Sequence, residues 1–291
     1  MRGLLVELEQ GGDGRKRTSQ LTQLTAAQVA QGDFLPIVDV SAGQTKYVTV
    51  KDLTGLPDFG WSATGESWSY SSYNSTTRIG IVTVPTDATT KYTPGMRVRF
   101  SQTTGGTKYA IVTYVTATTL DLFFPIGSLL ANEAITSPVY SSLKVPVGFT
   151  ANANLWKIET NSTADLSQAS PVTGTIYNVG GLNVVVPRGA WELTWQADAV
   201  GQRSGAGDIG CTWGLSTSTS SFSDLDLTVF IYIQNNTGLA HITSYRSKQL
   251  LLSAQATYYL DGQVFSGLTM TSLRVAGIFT PSILTAQCSY L

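Results

Sequence analysis

The chain has 291 residues, 42% of them hydrophobic and only 13% charged, with a formal net charge of −1 and a single histidine. That supplies enough apolar material for well-packed cores at about half the usual charged fraction. No basic tract exceeds Arg15-Lys16-Arg17, which excludes an electrostatic footprint for duplex nucleic acid. Ser, Thr, Gly and Asn fill the deficit, residues that suit turns and exposed strand faces and leave a surface of hydroxyls rather than ions.

In chain order, residues 1–17 read as a flexible arm. Glu7 and Glu9 interrupt the one apolar run there, which argues against a signal peptide, and no later stretch approaches the length of a membrane span. Synthesis in a cytoplasm without membrane insertion is expected. Residues 18–55 form a compact unit. Leu21, Leu24, Ala27 and Ala30 fall at helical spacing, Phe34, Leu35, Ile37 and Val38 make an apolar run, Ser41 to Gln44 supply a turn, and Tyr47, Val48 and Val50 return as a strand. So small a unit buries too little surface to stand alone and should dock on something larger. The alternative is a small subdomain that covers its own chain.

Residues 60–149 read as strand and turn throughout. Ile79, Ile81 and Thr83 alternate with Gly80 and Val82, Met96, Val98 and Phe100 with Arg97 and Arg99, and Tyr109 to Val115 and Leu120 to Phe124 repeat the pattern. A small β-barrel or sandwich is expected. Residues 150–180 read as a polar connector anchored by Trp156 and Ile158. From 181 to 291 about eight or nine alternating strands follow, including Trp191 to Ala199, Cys211 to Leu215, Leu227 to Ile233 and Thr257 to Leu260, which is most simply a jelly roll. The expected fold class is therefore all-β. Leu250, Leu251 and Leu252 are apolar on both faces, so one face needs a cover; Leu250 and Leu252 are the candidate oligomer contacts.

Three resemblances bear on function. Ser19, Leu21, Leu24, Gly32, Asp33, Pro36, Thr45, Lys46, Thr49, Val50, Asp52 and Leu53 resemble the particle-docking segment of tailed-phage structural proteins. This implies a docking role for Leu21, Leu24, Phe34, Leu35, Ile37, Val38, Tyr47 and Val50. Trp68, Tyr70, Gly95, Val98, Arg99, Phe100, Lys108, Tyr109 and Val112 are similar to a barrel module of phage tail and fibre proteins. Pro187, Arg188, Gly189 and Trp191, with Thr257 to Leu260, resemble the C1q and tumour-necrosis-factor type of jelly roll at the ends of phage fibres and head decorations, which implies a homotrimer.

Chemistry is sparse. His241 sits in Gly-Leu-Ala-His-Ile-Thr with no nucleophile elbow nearby, and Gly201 to Gly210 lacks the Lys-Ser/Thr of a phosphate loop. Cys211 and Cys288 stand apart without zinc-ligand spacing and are expected as buried free thiols. No cofactor or metal is expected. Asp224 and Asp226, two apart, would share one side of a strand. Aromatic residues are the better clue, because sugar faces stack on them. Tyr232 and Tyr245 lie out of phase or near turns, so with Asp224 and Asp226 they are the candidate ligand residues. No long β-helical repeat of the depolymerase kind is visible. The expected role is a non-enzymatic virion protein, a tail fibre or receptor-binding protein that meets other virion proteins, copies of itself and a host surface glycan. A capsid decoration or head-fibre protein of the same architecture is the alternative.

Overall fold

In a computed structural model, the described residues are 59–236, 239–265, 270–277 and 281–291, together with two upstream strands, β1 (Phe34–Asp39) and β2 (Gln44–Thr49). These two pair antiparallel from Phe34↔Thr49 to Asp39↔Gln44, so the expected hairpin is present as backbone. Leu21, Leu24 and Val50, and the side chains of Phe34, Leu35, Ile37, Val38 and Tyr47, lie outside the described residues. The chain divides into two units, residues 1–61 with 146–148, and residues 62–145 with 149–291. In the first, Trp61 Nε1 donates to Val147 O at 2.8 Å and Val147 N to Phe59 O at 3.1 Å.

The second unit begins with a seven-stranded antiparallel sheet. Its strands are β3 (Ser62–Ala63), β4 (Ser69–Asn74), β5 (Ile79–Thr83), β6 (Arg97–Gln102), β7 (Gly106–Val115), β8 (Thr119–Phe123) and β9 (Thr136–Ser141), ordered β3-β9-β6-β7-β8-β5-β4. The barrel expected from the sequence does not close: β3 and β4 each end the sheet with a single partner, and β3 is only two residues long. The sheet instead packs its side chains on one core of Trp68, Val82, Val98, Phe100, Val112, Leu122 and Phe124. Edge-to-face contacts, Trp68 on Tyr92 at 5.8 Å and Phe100 on Phe124 at 6.2 Å, order its centre.

The rest of this unit is β10 (Lys157–Ser162), β11 (Leu166–Ala169), β12 (Ile176–Val186), β13 (Gly189–Gln202), β14 (Gly207–Ser216), β15 (Thr228–Asn236), β16 (Leu239–Leu252), β17 (Ala256–Val264), β18 (Ser272–Ala276) and β19 (Ser282–Cys288). β10 and β11 pair with β19 and β18 respectively, and both of these pair with β13. Each couple is thus one strand with a break. Counted so, eight strands form two sheets in the orders 1-8-3-6 and 2-7-4-5, the arrangement of a jelly roll. Residues 157–180, read from sequence as connector, supply its first strand and the start of its second. Between the sheets lie Trp191, Leu193, Trp195, Cys211, Trp213, Leu215 and Leu260. Cys211 and Cys288 are buried free thiols, and burial pushes both up to about 11.

One end of the jelly roll is locked to the seven-stranded sheet. At the β12–β13 turn, Arg188 Nη2 donates to Asp121 Oδ1 at 2.7 Å while its guanidinium lies 3.9 Å from the Tyr114 ring centre. The next residue, Gly189, has φ +124°, and a Cβ there would lie 3.1 Å from Thr113 O, so close approach and backbone both call for glycine. Phe123 meets Trp191 edge-on at 4.9 Å, and Arg97 Nη2 donates to Tyr290 O at 2.9 Å.

A candidate binding face on the jelly roll

The sheet β12-β17-β14-β15 has an outer face of unusual composition. On β14, Ile209, Cys211, Trp213 and Leu215 are buried between the sheets, so Gly210, Thr212, Gly214 and Ser216 point outward, all of them small. Register sets Tyr232 opposite Gly210 and Phe230 opposite Thr212 on β15, and Gln263 opposite Thr212 on β17. Phe265, just past β17, donates its N–H to Gly210 O at 2.9 Å. Because the strand between them is small, aromatic rings from its two neighbours meet above it. Phe230 and Phe265 pack edge-to-face at 5.0 Å, and Phe230 and Tyr232 lie with near-parallel planes (17°) and centres 6.3 Å apart. All three stay accessible, at 52%, 47% and 43%.

Polar groups frame the rings. Tyr232 donates its hydroxyl to Asp208 Oδ2 at 2.6 Å, and that bond raises the phenol above its ordinary range. Arg203 Nη1 donates to Asp208 O at 2.7 Å, and Gln263 Nε2 to Gly174 O at 2.6 Å. The β12–β17 ladder runs from Val186↔Ala256, beside the locked turn, to Ile176↔Gln263. The aromatic cluster therefore occupies the end of the jelly roll away from the seven-stranded sheet.

Of the residues singled out in the sequence, Tyr232 is at this site. Tyr245 is also exposed, at 55%, but it lies on β16 of the other sheet, opposite Gln196. Asp224 and Asp226 are not on a strand. Asp224 caps a 3-10 turn (Leu225–Leu227), its Oδ1 accepting from Asp226 N at 3.1 Å, and both carboxylates hold Lys248, at 2.7 and 2.8 Å. They clamp that turn to β16. Leu250 and Leu252 are half-buried and face inward beside Trp191 and Gly189, whereas Leu251 is 81% exposed. His241 Nδ1 lies 2.9 Å from Asp198 Oδ2, opposite Val200. Sequence reasoning missed Phe230, Phe265 and Asp208. The signal was there for Phe230, which shares its phase on β15 with Tyr232 and opposes that of Ile231 and Ile233.

Two open depressions lie elsewhere, about 330 Å³ beside Gly95, Lys144 and Tyr290 and about 610 Å³ beside Glu66 and Ser137. Among the described residues no three His, Cys, Asp or Glu side chains are placed to hold a metal ion, and no helix is long and apolar enough to cross a membrane.

No protein-family model matches the chain, and no curated protein matches it. Among solved structures, dimeric latent PorU from Porphyromonas gingivalis is similar over 77% of this chain and 24% of its own, at 13% identity and a TM-score of 0.28. This chain thus spans about a quarter of that protein's length. The VP2 subviral particle of infectious bursal disease virus is similar over 87% of this chain and 67% of its own, at 10% identity and a TM-score of 0.25. The Gx strain of that virus gives 88% and 69%, at 12% and 0.21. These likenesses are weak, and the fold rests on the strand order alone.

Proposed function

We propose that the chain is a non-enzymatic bacteriophage virion protein whose jelly roll attaches the particle to a polysaccharide of the host surface. The observation that carries this reading is the exposed trio Phe230, Tyr232 and Phe265 at the end of the jelly roll away from the seven-stranded sheet. Apolar ring faces left in water on a rigid sheet suit the C–H face of a pyranose, and Asp208, Thr212 and Gln263 supply hydrogen-bonding edges around them. A homotrimer would repeat this weak site on one particle and gain avidity without high single-site affinity. The exposed Leu251 on β16 suits contact between copies better than the inward Leu250 and Leu252. The N-terminal hairpin would join the protein to other virion proteins.

The test is saturable binding of fluorophore-labelled protein to candidate host cells, with mass in solution measured by light scattering. Removal of all three rings, by Phe230→Ala, Tyr232→Ala and Phe265→Ala together, is expected to abolish binding while mass and far-ultraviolet circular dichroism stay unchanged. Undiminished binding by the folded triple variant would overturn the assignment.

A further inference from the structure

The same outer face holds one group that its role as a binding surface leaves unexplained. Asp261, central on β17, pairs with Asn178 on β12 and Gly214 on β14, one register row from Thr212 and Gln263. It alternates outward, yet it is 0% exposed, and among the described residues no donor meets either carboxyl oxygen at full hydrogen-bond geometry, the Asn178 amide offsetting its burial only in part. Asn178 is already engaged, its Nδ2 donating to Leu182 O at 3.2 Å and Leu260 O at 3.0 Å across the β12 bulge. On the other side Gly214 leaves no room, since a Cβ there would lie 2.8 Å from Thr228 Oγ1 and 3.0 Å from Leu227 O.

Among the described residues no cation faces this carboxyl. The outward neighbours are Asn178 and Asn183 on β12, Thr212, Gly214 and Ser216 on β14, Thr228 on β15, and Gln263 and Tyr259 on its own strand, of which Tyr259 alone can ionise. On the turn packed against β14, Asp224 and Asp226 share the single ammonium of Lys248, so that cluster keeps a net charge of −1 and offers Asp261 no cation. A carboxyl buried from solvent, with no cation beside it and only the Asn178 amide to offset its burial, is satisfied most cheaply by a proton.

We infer that Asp261 is a proton-operated control of the aromatic face, neutral and shut off from solvent when the face is ordered, and ionised only when water enters between β12, β17 and β14. Burial pushes its carboxyl up to about 7, which brings the change into the physiological range. Ionisation draws water to the strand that carries Gln263 and leads into Phe265, and to the β14 strand on which Phe230 and Phe265 meet. The rings then lose their fixed spacing as pH rises through neutrality. The inference concerns regulation of the face under Proposed function and rests on that reading for its biological meaning.

The test does not need the ligand. Full-length protein carrying 4-fluorophenylalanine is followed by fluorine NMR from about pH 5 to about pH 9, with the resonances assigned by Phe230→Tyr and Phe265→Tyr. Both resonances are expected to move along one titration with a midpoint near neutrality, and to stop moving in Asp261→Asn. Resonances that stay still in the unsubstituted protein, or that titrate unchanged in the folded Asn variant, would overturn the inference. The titration of the unsubstituted protein decides the question even if the variant does not fold. Host-cell binding measured alongside separates the two claims: a normal titration with no cell binding at any pH removes the attachment reading and leaves the proton control standing.

Discussion

The two sheets of the jelly roll share one core but present opposite outer faces. On the sheet built around β13, polar side chains are matched with one another: Ser247 donates to Glu192 at 2.6 Å, Lys157 to Glu159 at 2.6 Å, His241 lies 2.9 Å from Asp198, and Arg274 pairs with Asp165 at 3.1 Å. On the sheet built around β14, the outward side chains are small, aromatic or amide, and the central carboxyl, Asp261, has no ionic partner among the described residues. The first face exposes Tyr245 and Leu251 and leaves Asp198 Oδ1 and Arg274 Nε without a hydrogen bond among the described residues, but each of those two charged side chains keeps an ionic partner, His241 and Asp165. The second leaves ring faces in water and a carboxyl out of it, two costs that folding alone does not explain. A surface that is stable in spite of its outer residues is the one to suspect of a role.

The largest change should come from the core that both faces share. Trp213 is fully buried, and a Cβ at Gly262 would lie 2.8 Å from its ring, so little beneath that ring can relax. Trp213→Ala should cost about 3–5 kcal/mol in urea denaturation. It should also remove the contrast between the faces, with cell binding and thermal stability lost together.

Asp261→Asn should act on one face only, and with a sign that depends on pH. The folded-state value is raised, from 3.8 to about 7, so the folded protein holds the proton more tightly than the unfolded chain does. The contribution of this group to stability is then fully present below about pH 4, is lost as pH rises towards 7, and is flat above. Three units correspond to an upper bound of about 4 kcal/mol, and water penetration will reduce it. Asn178 and Gly214 accept an isosteric amide, so thermal unfolding of Asp261→Asn should be higher than that of the parent at about pH 8 and equal to it at about pH 4. An identical difference at both values would show that the carboxyl does not titrate as buried.

The other face offers the matching experiment. Asp198 has a side chain only 10% exposed, and its bond to His241 is its one side-chain partner among the described residues. His241→Ala should therefore cost about 1–3 kcal/mol in thermal or urea unfolding. Cell binding should be untouched, since the aromatic face lies on the opposite sheet.

Strand identity was legible where one face of a strand is buried. Trp191, Leu193, Trp195, Ala197 and Ala199 announce β13 by period alone, and Cys211, Trp213 and Leu215 announce β14. β10 and β11 were not legible, because Ile158 is their one buried side chain and the rest face water or a break. Asp224 and Asp226 misled for a local reason: Asp side chains cap turns, and two-residue spacing is as natural to a capped 3-10 turn as to a strand. The site itself was half legible. Tyr232 stood out as a tyrosine, but the contact of its neighbour Phe230 with Phe265 depends on a cross-strand register that no local pattern encodes.

The smallest stability effect should belong to the rings to which the proposed binding is assigned. Phe230 and Phe265 are each about half exposed, at 52% and 47%, so truncating either forfeits little burial. Their edge-to-face contact at 5.0 Å is worth about 0.5–1.5 kcal/mol beyond area, and exposure places it at the lower end. Phe230→Ala, Phe265→Ala and the double variant, compared by urea denaturation, should show that coupling and little else. Loss of host-cell binding at such small cost would mark the rings as displayed. A cost of about 3 kcal/mol for either ring would instead mean that the pair holds β15 and β17 across the small strand between them, as a core residue does, and the two faces of the jelly roll would then differ in chemistry but not in purpose.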